Sequence, residues 1–108
     1  MIARATSPII GKWRIISSDM WDRDFLDLVE PAYIVFSPQG GGEFVFGAVT
    51  GSMGCRYGGN TAFFTWIGSD EMDEVSGSGE AELDDDGTLT IDLNRHLGDE
   101  AILVAKKW

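Results

Sequence analysis

The sequence predicts a mainly β protein, an eight-stranded antiparallel up-and-down barrel with one short helix between strands one and two. Three observations lead there. Eight short segments alternate apolar and polar residues, and turn-forming Gly, Pro, Asn and Asp separate them at close intervals. Only the segment after the first strand changes to helical spacing. The first apolar run, residues 9–16, and the last, residues 101–108, are both β-branched and contain a Trp, as suits two strands that meet and close a sheet.

Residues 1–8 are small and polar, end at Pro8 and read as a flexible leader. Strand one is expected over residues 9–17, with Trp13 and Ile15 on one face. Met20, Trp21, Phe25, Leu28 and Val29 then fall on one helical face, which predicts an amphipathic helix over residues 19–30. Ser18 or Asp19 would cap it, Pro31 would stop it, and Trp21 and Phe25 would cover an open end of the barrel. Strand two follows at 32–37 and strand three at 43–49, the latter pointing Phe44 and Phe46 into one interior. Thr50 and Gly51 are expected to turn the chain into strand four, 52–57, with Met53, Cys55 and Tyr57 on one side and Arg56 on the other.

A hairpin turn at Gly58, Gly59 and Asn60 leads to strand five, 61–67, the most aromatic, with Phe63, Phe64 and Trp66. Residues 68–74 read as a loop carrying Asp70, Glu71, Asp73 and Glu74. In strand six, 77–83, Gly77, Gly79 and Ala81 make a small inner face with room for a large neighbour such as Trp66 or Trp13. A turn at 84–87, strand seven at 88–93 and strand eight at 100–107 complete the chain. Eight strands close around an interior that side chains fill or that holds one small ligand. A split barrel, or a curved sheet packed by the helix, is the main alternative.

At 108 residues, one domain spanning 1–108 is expected. The net charge of −10, from 18 acidic and 8 basic residues, repels phosphate backbones and anionic lipid, so neither nucleic acid nor a membrane surface is an expected partner. A single cysteine, Cys55, excludes an internal disulfide and a multi-cysteine metal site. With no signal-like run, a cytoplasmic location is expected.

Gly11-Lys12-Trp13 in the first strand, the helical insertion after it and the eight-strand meander resemble the calycins, the superfamily of lipocalins and fatty-acid-binding proteins. That resemblance implies a Trp13 at the closed end of the barrel, covered by a basic side chain from near the end of the barrel, here Lys106 or Lys107, through a cation–π contact. The stretches Asp19-Met20-Trp21-Asp22, Cys55-Arg56-Tyr57, residues 66–73 and residues 96–100 are also similar to a group of small bacterial proteins of unassigned function, which implies a fold and no activity.

No nucleophile, base and oxyanion site assemble around the single histidine, His96, so no catalytic residue, cofactor or metal is assigned. The carboxylates of 70–74 and of 84–86 do not have the spacing of a calcium loop. The candidate ligand-binding set is Phe44, Phe46, Phe64 and Trp66, with Arg56 and Glu71 as polar anchors. The expected function is a non-enzymatic binding barrel for a small apolar or amphipathic ligand. The alternative is a filled barrel that serves as an acidic interaction module for a basic protein partner. A homodimer formed by strand edges or the helix belongs to the same class.

Overall fold

The computed structural model describes residues 7–96, 98 and 100–108. Eight antiparallel strands form a closed barrel in sequence order: β1 (Gly11–Ser18), β2 (Tyr33–Phe36), β3 (Gly41–Phe46), β4 (Val49–Gly58), β5 (Thr61–Asp70), β6 (Asp73–Leu83), β7 (Leu89–Arg95) and β8 (Glu100–Lys107). One helical turn, α1 (Arg23–Leu26), lies between β1 and β2. The mainly β, up-and-down architecture is therefore the one the alternation predicts. Closure comes from β1 pairing with β8, Trp13 opposite Lys107 and Ile15 opposite Ala105, with a bulge between Ile15 and Ser17. A closed barrel has no free strand edge, so edge pairing is not a route to a dimer.

Inward side chains follow the period of two. Ile15, Ile34, Phe36, Phe44, Phe64, Leu89, Ile91 and Leu103 are buried, and among the described residues 23 apolar ones make the core. An apolar core of this density drives closure, since each large side chain removed from water contributes about 1.5–3 kcal/mol. Small residues make room for the rings. A Cβ at Gly51 would overlap the Phe44 ring, and one at Gly79 would overlap Phe64. At Gly77 it would run into the Asn94 carbonyl and lie 2.9 Å from the Trp66 indole nitrogen, so Trp66 is the large neighbour that the small face of β6 receives.

Several boundaries differ from the sequence expectation, each for a physical reason. The twelve-residue helix shrinks to α1, because the residues meant to form its apolar face are not buried: Met20, Leu28 and Val29 are 43%, 61% and 69% exposed. Asp22, rather than Ser18 or Asp19, caps it, accepting from the Phe25 N–H at 2.9 Å. Thr50 and Gly51 are not a turn but lie inside β4, opposite Ser69 and Gly68, and the turn sits earlier at Gly47 and Ala48. The acidic loop is likewise a tight hairpin. β5 runs to Asp70, β6 starts at Asp73, and Glu71 takes a left-handed backbone at φ 58°. Of the expected leader, residues 1–6 lie outside the described residues, and Ile9, expected to begin strand one, is fully buried ahead of β1.

The two ends of the barrel differ. At one end Trp13 donates its indole N–H to the Ile9 carbonyl at 2.8 Å, and Lys107 Nζ lies 5.0 Å from the Trp13 ring and donates to the Ile10 carbonyl at 3.0 Å. Tyr57 donates its hydroxyl to the Ser37 carbonyl at 2.6 Å at the same end, where burial pushes its pKa up to about 12. That end is sealed. The other end holds α1 and the turns β3–β4, β5–β6 and β7–β8.

Because Gly51 faces a ring that fills the barrel, Gly51→Ala is expected to lower unfolding stability by about 1–3 kcal/mol through overpacking. Urea denaturation read by far-UV circular dichroism measures it, and an unchanged midpoint would show that Phe44 has room to move.

Candidate functional site

At the end under α1 the inward side chains do not fill the space. A cavity of about 260 Å³ remains, walled by Trp21, Phe25, Phe46, Val49, Trp66, Val75, Leu93 and Ala101, with Asp70 and Arg95 as its two charged residues among those described. Phe46 is placed by β3, Trp66 by β5 and Leu93 by β7, all through the same inward alternation. Trp66 is further held by its indole N–H, which donates to the Asn94 carbonyl at 3.2 Å. The small Ala101 on β8 leaves volume where a larger residue would close it.

The cover is built by the segment between β1 and β2. Trp21 stacks on Phe25 at 5.6 Å between ring centroids and lies 5.3 Å from Phe46. Gly47 docks below it, with a left-handed φ of 56° and its N–H donating to the Leu26 carbonyl at 2.7 Å. A Cβ there would sit 2.6 Å from Phe25, so the glycine sets how close the cover comes. Two polar ties anchor the segment. Asp19 accepts from the Ile102 N–H at 2.8 Å, and Arg14 grips Asp27 with both terminal nitrogens at 2.8 and 2.7 Å.

That grip has an electrostatic consequence. The Arg14 guanidinium and, after it, the Ala32 N–H hold the Asp27 carboxyl well below the usual carboxylate range. Both side chains are about three-quarters buried, at 21% and 27% exposure, so the bidentate geometry carries weight that an exposed pair lacks.

Arg95 and Asp70 form the polar side of the cavity through one bond, Nη1 to Oδ2 at 3.0 Å. The side chains are 40% and 32% exposed, which places the pair at the boundary between cavity and solvent. Apolar walls with a few convergent polar groups are the usual makeup of a small-molecule site. A second depression of about 690 Å³ on the outer surface, lined by Ser76, Ser78, Asn94, Arg95 and His96, is larger but shallow and open.

The structure divides the sequence candidates into three groups. Phe46 and Trp66 line the cavity. Phe44 and Phe64 are buried in the filled part of the barrel, where Phe44 packs edge-on to Trp66 at 5.2 Å and Phe64 to Phe36 at 6.2 Å. Arg56 and Glu71 do not reach the cavity. Arg56 is exposed on the outer wall because Met53, Cys55 and Tyr57 take the inner side, and Glu71 is exposed at the tip of the β5–β6 hairpin. Asp70 and Arg95, the charges that do line it, stand 25 residues apart and meet only through the fold.

Cys55 is half-buried and burial pushes its thiol pKa up, away from a reactive thiolate. His96 is exposed in the turn after β7. Among the described residues no group of three or more His, Cys, Asp or Glu side chains is placed to hold a metal ion, and no helix is long and apolar enough to cross a membrane. Comparison of the chain with protein families, with curated proteins and with solved structures finds no match. The fold and the geometry of the cavity therefore carry the functional reading.

Asp27→Asn is expected to cost about 1–2 kcal/mol at pH 7, because it removes the charged acceptor of Arg14. In the unfolded chain Asp27 takes up its proton near pH 4, while the folded chain resists to lower pH. Its contribution is thus present above about pH 4 and lost as pH falls through the folded value. Thermal melts of both proteins from pH 7 downward should show a constant gap to about pH 4 that then narrows. A gap independent of pH would contradict the ion pair.

Proposed function

We propose that this chain is a small, non-enzymatic binding barrel of calycin type that holds a compact apolar or amphipathic ligand beneath Trp21 and Phe25. The observation that carries this reading is the cavity of about 260 Å³, which has aromatic and aliphatic walls and one charged pair on a single side. The ligand's apolar part rests against Trp21, Phe46 and Trp66, and its polar end meets Asp70 and Arg95. The calycin assignment draws support from Gly11, Trp13 and Lys107, which come together at the sealed end as the resemblance implies.

Volume limits the ligand. The cavity equals the share of about nine water molecules, so a molecule of about ten non-hydrogen atoms fits and a long lipid chain does not. At about 0.5–0.8 kcal/mol per atom such a ligand binds with about 5–8 kcal/mol, a dissociation constant from roughly 200 µM down to about 1 µM.

A second reading is supported by the exposed carboxylates Glu71, Asp73 and Glu74 at the β5–β6 hairpin and by the mostly filled interior. On it the chain is an accessory module that offers this hairpin to a basic protein partner, with binding that weakens as salt rises.

Native mass spectrometry of freshly purified protein is the first test, followed by fluorescence titration with octanoate, octanol and cyclohexanol as probes. Trp21 and Trp66 report on occupancy, and at least one probe should give a saturable change. Ala101→Phe fills the cavity and should weaken that binding at least tenfold while the thermal midpoint is kept. A bare protein in which no probe binds, or binding that Ala101→Phe leaves intact, would sink the cavity reading and leave the hairpin.

A further inference from the structure

The outer wall of β4, β5 and β6 is unlike the rest of this acidic surface. Phe63 and Ile67 stand out from β5 at 53% and 57% exposure, with Thr65 between them. The neighbouring outward positions are small and uncharged, Ser52 and Gly54 on β4 and Ser76 and Ser78 on β6. Directly opposite Phe63 stand Arg56 and Glu80, while the other two outward acids of β6 lie beyond the ridge, Glu82 opposite Thr61 and Glu74 opposite Ser69.

Arg56 and Glu80 flank Phe63 symmetrically, the one on β4 and the other on β6. Strands lie about 4.8 Å apart, so the two charges are separated by about 10 Å with the Phe63 ring between them. Among the described residues Arg56 makes no ion pair.

We propose that this face is the contact surface of a homodimer, with a two-fold axis running along β5. Such an axis exchanges the β4 and β6 sides and leaves position along the strand unchanged. Phe63 then meets Phe63 of the second copy, Ile67 meets Ile67, and Arg56 meets Glu80 twice. The other in-plane axis, across the strands through Thr65, sets Arg56 against Ser52 and Glu80 against Ser76 and pairs no charges. Self-complementary charge thus selects both the occupant, a second copy of this chain, and its register. The matched face spans about 14 Å by 27 Å, roughly 800 Å² over both copies, which is below the size of a stable interface and suits only a weak, transient contact. The dimer is reversible, with a dissociation constant on the order of 100 µM.

Sedimentation velocity from about 10 µM to 1 mM tests this on the full chain. A concentration-dependent dimer is expected, and Phe63→Ser should weaken it at least tenfold. Arg56→Glu and Glu80→Arg should each weaken it about tenfold, and the double variant should return to within about threefold of the parent. Glu80→Arg is the diagnostic one, because it lowers the net negative charge and would strengthen association if general repulsion alone set the balance. All four variants change exposed side chains, and thermal midpoints near that of the parent establish that the barrel is intact. A protein that stays monomeric at 1 mM, a dimer indifferent to Phe63→Ser, a Glu80→Arg variant that associates more tightly, or a double variant that does not recover each overturns the proposal.

Discussion

The pairing of β1 with β8 is the constraint on which the rest of the structure depends. Without it the eight strands would form a curved sheet with two unpaired edges and an apolar face open to water. Once the sheet is closed, strand number fixes a narrow interior, and the rings of Phe44, Phe64 and Trp66 fit only where Gly51, Gly79 and Gly77 give way. Closure also draws together half of the chain's eight basic residues. Lys12, Arg14, Lys106 and Lys107 lie on the two closing strands, and Lys12 Nζ rests over the rings of Trp108 and Tyr33 at 4.3 and 4.7 Å.

The asymmetry of the ends follows from how each is finished. At the Trp13 end the chain itself turns across the opening, so that Ile9 is fully buried and the indole and Lys107 amine bond to the carbonyls of Ile9 and Ile10. At the α1 end the cover is a connection between strands, held at its margins by Asp19 and by the Arg14–Asp27 pair and between them by the fully buried Leu26 and by Trp21 against Phe46. A short turn tied by its flanks covers an opening without filling it. The cavity is what remains between Trp21 above and Trp66 below.

Cavity and outer face are two products of one alternation. Trp66 and Phe64 point inward from β5, and Phe63 and Ile67 point outward from the same strand. A single aromatic-rich segment therefore supplies a wall of the cavity and a ridge on the surface. Phe64, the one of the adjacent pair expected among the ligand-binding residues, points inward, and the register sends Phe63 to the outer face.

What the sequence determined by itself is the fold class. The alternation of strands, the turns at Gly59 and Gly87 and the matching first and last runs are local signals, because strand period and turn chemistry are properties of neighbouring residues. Local signals also placed Phe46 and Trp66 inside and β8 at its observed bounds. Tertiary structure decided the rest. Thr50 and Gly51 looked like a turn until strand pairing with Ser69 and Gly68 made them part of β4. Of the apolar residues of the expected helix, Met20, Leu28 and Val29 found no surface to bury against, so only one turn formed. Asp70 and Arg95 meet across β6 from 25 residues apart, a contact no spacing encodes. The period of two says that a side chain points in or out, but which inward residues leave a space depends on how eight strands close together.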